Sequence, residues 1–445
     1  MRTILFIAAF GGLSTVAQAA DVSSAASTPG PTWRHITLYG TLDAGLTHQS
    51  HGTPLDGDYP QGLEHLISKN SDRPVTTLSP NGLSQSRLGL KGTAPIGHGL
   101  SLLFQIETGF SPLSGRLADG PKALVKNNGV PLDRQTSNGD SSRAGQVLQG
   151  VAVVGVTSRR GASLTFGRQN ALMLDNIIAY DPQGASYAFS PIGYSGLAGG
   201  MGATEDARVD RALKVRYAPG PYRLTVLYKL AGSEGGARRV HAVDLGGDYR
   251  GVSVDAIYNQ VRGAISASPL SAAHLAAGAP AASLAATISD NVSYGVQTRY
   301  TTGPLKLYGG WERIAFSNPR TPLLAGRETI GGYRISVVNN TAYPHRKVVD
   351  IVWTGARRAI NPRLDAAAAV YLYTQNSYRG DGCDDARSAT CGGRLLATSL
   401  SLTYKATPRF NLYGGAMYSR VEGGMAAGFL HAASINPTVG ARFNF

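Results

Sequence analysis

The sequence has little charge, few cysteines and almost no long apolar stretches. Only 16% of its 445 residues are charged, and no run of Lys or Arg exceeds two, which argues against a nucleic-acid partner despite a net charge of +14. Beyond the N-terminus, no stretch approaches the roughly 18 uninterrupted apolar residues that a membrane-spanning helix needs. The two cysteines, Cys383 and Cys391 in "GCDDARSATC", lack zinc-ligand spacing. In an exported chain they favour one disulfide over two free thiols, and such a clip stiffens a loop more than it holds a fold. The HExxH, P-loop and GxSxG signatures are missing, and His35, His48, His51, His65 and His98 are scattered over different loops and turns. A hydrolase is therefore a remote reading, and no cofactor or metal is called for. No linker divides the chain, apart from the Ala-rich "SAAHLAAGAPAASLAA", so one continuous architecture is expected.

The opening "MRTILFIAAFGGLSTVAQAA" joins Arg2 to an apolar run from Ile4 to Phe10, with small Ala17 and Ala19 before Asp21. That is the pattern of a secretory signal cut after Ala19 or Ala20, leaving residues 21–445 as the exported domain. Loss of Arg2 takes the net charge to +13 (14 − 1). Outside the cytoplasm, that charge is matched to small anions and anionic lipopolysaccharide rather than to nucleic acid.

Glycine (56) and tyrosine (21) are abundant, and they sit in segments of about ten residues that alternate apolar with polar. In "SRLGLKGTAPIGHGLSLLFQIETGF", Leu88 and Leu90 oppose Arg87 and Lys91, while Leu100, Leu102, Phe104 and Ile106 oppose Ser101, Gln105 and Glu107. About sixteen such segments run from Ile36 to Phe445. Short turns such as "YAPGPY", "TTGP" and "ARRAINPR" alternate with long connections, among them Gln49 to Gly82, Asn170 to Ala207 and Arg262 to Asp290. A soluble sandwich has no reason to sort its loops by parity; a membrane barrel does. An amphipathic sheet in lipid must also close, because each unpaired backbone group there costs several kcal/mol. The expectation is an all-β transmembrane antiparallel barrel of about 16 strands, lipid-facing at Leu88, Leu90, Leu102 and Phe104, with aromatic girdle positions at Tyr217, Tyr300, Tyr404 and Phe410.

"ITLYGTLDAG", "SRLGLKG", "FGRQ", "RVDRALKVRYAPG" and the final Phe445, in that order, resemble Gram-negative general porins, particularly the beta-proteobacterial and neisserial branch. The resemblance spans essentially the whole exported chain. It implies a homotrimeric diffusion channel of the cell outer membrane, whose third loop folds into the lumen and constricts it. It also implies a ladder of wall arginines facing acids on that loop. Arg87 matches the arginine of the second strand, Arg168 the one before the inserted loop, and Arg208 the one opening the next strand; Arg211 is a further candidate, standing where relatives often show Asn. The basic position after "LYG" is Thr41 here, so one rung is missing.

Alternation places Lys91, Lys214, Arg216 and Arg442 in the lumen beside Arg87, since an Arg at mid-bilayer costs roughly 2–4 kcal/mol. Inward acids are expected at Asp43, Glu107, Asp210, Asp244, Asp248, Asp255, Glu312 and Asp350. The stretch "NALMLDNIIAYDPQG" predicts a short helix that packs Leu172, Leu174, Ile177 and Ile178 on the inner wall and offers Asp175 and Asp181 as its acidic side. Strict alternation would turn Arg168 outward, so its inward placement requires a bulge as the strand leaves for the loop. The reading is a pore for small hydrophilic solutes and ions that prefers anions; a substrate-specific anion channel of the same build is the alternative.

Overall fold

Each alternating segment folds as a strand because its two faces meet different surroundings, and in the computed structural model each strand pairs with its neighbours in sequence. Residues 30–58, 69–137, 144–193, 207–230, 239–380, 383–384 and 388–445 are described. The expected leader lies outside them. The barrel strands of the first half are β1 (Ile36–Gly52), β2 (Arg87–Gly97), β3 (Leu100–Gly109), β4 (Ala152–Ser158), β5 (Ala162–Asn170), β6 (Arg208–Tyr217), β7 (Tyr222–Lys229) and β8 (Arg239–Tyr249). Those of the second half are β9 (Val252–Ser268), β10 (Leu284–Thr302), β11 (Leu305–Ser317), β12 (Lys347–Asn361), β13 (Leu364–Gln375), β14 (Gly393–Lys405), β15 (Phe410–Gly423) and β16 (Ala433–Asn444).

All sixteen are joined antiparallel, and the barrel closes where β16 pairs with β1 from Thr41↔Asn444 to Thr47↔Thr438. Phe445 completes the seam by exchanging both backbone hydrogen bonds with Gly40. The residue there has to be glycine: a Cβ on Gly40 would sit 2.3 Å from the Phe445 ring. Closure leaves no edge to satisfy in hydrocarbon.

The outer face is apolar. Val154 is 55% exposed and Leu400 60%, and Leu88, Leu90, Leu102, Val226, Val296 and Val439 are exposed alongside them. Tyr217, Tyr300, Tyr404 and Phe410 are exposed on that face at the short-turn ends of their strands, where an amphipathic ring suits a membrane interface.

Three connections differ from expectation. The stretch from Gln49 to Gly82 contains a strand, Arg73–Pro80, which pairs with β1 from Ala44 to Gly52. β2 covers that edge of β1 only from Ile36 to Thr41, so the returning chain covers the remainder. Strands β9 and β10 run beyond the wall, past a bulge at Val261/Ala264. A small apolar core of Leu124, Leu284, Ile288, Leu323, Ile330 and Ile335 supports their tips, near the helices α1 (Gly120–Lys126) and α3 (Ala272–Ala276), while the helix α2 (Leu172–Tyr180) enters the lumen. Finally, "ARRAINPR" is largely strand: β12 pairs with β11 as far as Arg358. Cys383 and Cys391 are disulfide-bonded, with Cα atoms 5.5 Å apart.

Candidate functional site

After β5 the chain turns inward, and α2 lays its apolar side against the lumen wall. Leu172, Met173, Leu174 and Ile177 are buried among Val240, Ala242, Ile257, Ile314, Ile351 and Trp353, with Ile178 packed at the edge. Burying such side chains stabilises by roughly 1.5–3 kcal/mol each, which holds the loop inside rather than over the mouth. Polar contacts fix its register. Asn176 donates to Asp244 (2.9 Å), Tyr180 donates to Asp255 (2.5 Å), Arg223 donates to Tyr180 (2.6 Å) and pairs with Asp255 and Asp248, and Trp353 donates to the Tyr180 carbonyl (3.1 Å). Further on, Gln183 bonds Ser399 and Ser401, and the Ala188 N–H reaches the Gly82 carbonyl. The loop therefore follows the inner wall from β5 round to the closing seam.

Arg87 and Lys91 lie on the inner face of β2. Arg87 pairs with Glu107 at 3.3 Å, with side chains only 14% and 8% exposed. Tyr39 donates to Glu107 (3.2 Å) and accepts from Gln105 (2.8 Å), while Lys91 sits over the Tyr39 ring at 5.3 Å. Gly89 makes this possible, since a Cβ there would lie 2.4 Å from the Tyr39 ring. Lys214 pairs with Asp175 at 2.8 Å, joining β6 to the first turn of α2. Arg216 is on the same inner row, opposite Ser163 and Thr225. Arg442 stands beside Asp43 across the seam and has Arg87 and Arg357 as charged neighbours.

Asp43 is fully buried, accepting from the N–H groups of Gly82, Leu83 and Ser84 and from the Tyr413 hydroxyl. Thr41 bonds Asn444 where the missing rung would stand.

Several expected positions differ. Arg168 shares a cross-strand row with Ala152 and Ile106, the row of outward Val154, so the alternation prevails over the resemblance. Its guanidinium is turned along the wall to the Gln149 and Gly150 carbonyls and to Asp210 at 2.6 Å. The bulge exists, but it lies in β6 between Val209 and Ala212, with Arg211 at φ 53°. Arg208 opens β6 opposite Asn170, close enough to Tyr39 to act on it electrostatically.

Asp181, 1% exposed, faces the wall rather than open water. It accepts from Tyr371 (2.6 Å) and from the N–H groups of Gln183 and Ala185. Burial raises its pKa in spite of these donors. Asp350 is also outward: it pairs with Arg313 (2.8 Å) and accepts from Trp311, in the row of exposed Tyr294. Glu205 and Asp206, the acids that the sequence places near the end of the third long loop, lie outside the described residues.

Most inner acids are thus engaged by other groups: Glu107 by Arg87, Asp175 by Lys214, Asp244 by Asn176, Asp248 and Asp255 by Arg223, and Asp365 by Lys405 at 2.8 Å; Glu312, 1% exposed, is instead enclosed in the wall with no ion pair among the described residues. Arg216, Arg299, Lys306, Arg357 and Arg442 form no ion pair among the described residues. Sequence reading overlooked Arg357 by ending its strand at Ala356. Continuing the alternation of Ile351, Trp353 and Gly355 by one more step finds it.

Comparison with known proteins agrees with this architecture. A family described as Gram-negative porin matches residues 6–424. An outer membrane porin protein of Bordetella pertussis is 26% identical over 209 residues, 47% of this chain and 42% of that one, so the match spans less than half of the relative's length. Among solved structures, an anion-selective porin from Comamonas acidovorans superposes with a TM-score of 0.58 at 16% identity, covering 92% of this chain and 99% of that one. OmpT of Vibrio cholerae, in a trimer form, superposes with a TM-score of 0.56 at 13% identity, covering 92% and 99%. With the family matched over most of its length and with a closed barrel around an inserted third loop, this chain belongs to the Gram-negative porins of the outer membrane.

Proposed function

We propose that the protein is a diffusion channel for small hydrophilic solutes and ions that prefers anions. One observation carries the reading: the inner acids are engaged by a base or by hydrogen-bond donors or, as Glu312, enclosed in the wall, while Arg216, Arg299, Lys306 and Arg357 have no ion pair among the described residues. Uncompensated positive charge in a narrow lumen raises the local anion concentration and lowers the entry barrier for anions. Guanidinium groups keep that charge at any working pH. The constriction lies between α2 and the wall that carries Arg87, Arg208, Arg211 and Lys214. The channel works as a homotrimer in lipopolysaccharide-containing membrane; the Vibrio neighbour in trimer form and the apolar outer wall support this reading.

The test is a planar bilayer with a KCl gradient. The reversal potential is expected on the chloride side, with closure in three equal steps under high voltage. A reversal potential on the potassium side overturns the selectivity, and single-step closure overturns the trimer.

A further inference from the structure

Beyond the constriction, the inner wall of β10 to β12 carries a second basic group whose arrangement a diffusion pore does not require. Lys306 and Arg357 are direct cross-strand partners on the inner face, and Arg299 is the partner of Tyr308, one inward position along from Lys306. Like charges directly opposite in a sheet destabilise it. Among the described residues, neither Lys306 nor Arg357 has an acid partner to offset that cost. Charges acting on Lys306 include Arg299, Arg357 and Lys405, and the nearby acid, Asp365, is held by Lys405. Asp181, a loop acid that acts on Tyr308, turns to Tyr371 and its own backbone.

Arg299 is meanwhile held in place. It donates to the Ala179 carbonyl (3.1 Å) and lies over the Tyr180 ring at 5.8 Å, so the end of α2 aims it. Neighbouring strands are about 4.8 Å apart and same-face residues of one strand about 7 Å. Three cations on such a lattice match the span of one doubly charged oxyanion, and guanidinium forks suit its geometry.

We propose that Arg299, Lys306 and Arg357 form a binding station for a small divalent oxyanion of the phosphate type, on the short-turn side of α2. It rests on the anion-channel reading and deepens it, turning free diffusion into saturable passage for this class of solute. The bound anion relieves the Lys306–Arg357 repulsion, which is why two like charges are tolerated there.

The experiment measures single-channel conductance against concentration in KCl and in potassium phosphate at neutral pH, for the wild type, Lys306→Gln/Arg357→Gln and Arg357→Lys. Expected are a linear rise in chloride, saturation in phosphate, and a shift of half-saturation by roughly ten-fold or more in the double variant, the scale of losing hydrogen bonds to a charged group. Arg357→Lys keeps the charge and retains most of the saturation. Phosphate conductance that follows bulk conductivity, or saturates equally in the double variant, overturns the station. The KCl reversal potential in the same membranes separates the two ideas: a potassium-side value sinks the channel reading beneath the station, whereas a chloride-side value without phosphate saturation sinks the station alone.

Discussion

Arg87→Ala is the sharpest test of the electrostatic argument, because the partner of Arg87 is known and can be removed as well. In the wild type Arg87 and Glu107 neutralise one another at 3.3 Å. Removing the arginine leaves Glu107 as net negative charge on the lumen wall. One charge lost about 10 Å from the ion path changes the energy of a monovalent ion by about 0.4 kcal/mol in water, and by about 0.15 kcal/mol with screening near 0.1 M salt. Anions lose and cations gain that amount, so the chloride-to-potassium permeability ratio falls by between about 1.7-fold and about 4-fold. The assay is the reversal potential in a salt gradient, repeated at high and low ionic strength to resolve the screening. Arg87→Ala/Glu107→Gln removes one charge of each sign while keeping an acceptor for the Tyr39 hydroxyl, and it returns the ratio towards the wild-type value. An unchanged ratio in the single variant refutes the reasoning. So does a double variant as low as the single, because the effect would then come from altered shape rather than charge.

Two further outcomes concern the inserted loop. Tyr180→Phe removes the hydroxyl that donates to Asp255 and accepts from Arg223, weakening α2 docking by about 1–3 kcal/mol; single-channel recordings are expected to show more flicker, and a trace as quiet as wild type counts against the anchor. Asp181 has its pKa raised by burial, so the folded loop holds this proton to higher pH than the free side chain does. Docking is therefore strongest below the ordinary carboxylate range and weakens as pH rises through the raised value. Asp181→Asn removes that slope, and flicker that depends on pH identically in both proteins refutes the assignment.

The fold was legible because a barrel writes itself in period two. Leu88, Leu90, Val154 and Val439 face outward as alternation demands, and the apolar spacing of Leu172, Leu174 and Ile177 marks α2. What alternation does not encode is where a strand stops. Arg357 was hidden in a presumed turn because "GARR" looks polar, yet β12 continues through it with its side chains still alternating. The strand Arg73–Pro80 was missed for a different reason. It exists to cover the edge that β1 exposes after β2 diverges, a tertiary demand with no local signature.

The site was less legible than the fold, since parity assigns a face but not a partner. Asp244, Asp248 and Asp255 were rightly placed inside, and as free carboxylates they would oppose the proposed anion preference. They do so weakly because Asn176 and Tyr180 of α2, together with Arg223, engage them. On the proposed reading the inserted loop thus acts on selectivity twice: it narrows the passage, and it masks the acids behind it, while Lys306 and Arg357 have no acid partner among the described residues. A loop that carried Leu at 176 and Phe at 180 would fill nearly the same space and, having lost those donors, still shift the pore towards cations. If the channel prefers anions as proposed, its selectivity is a property of how α2 docks rather than of a count of lumen charges.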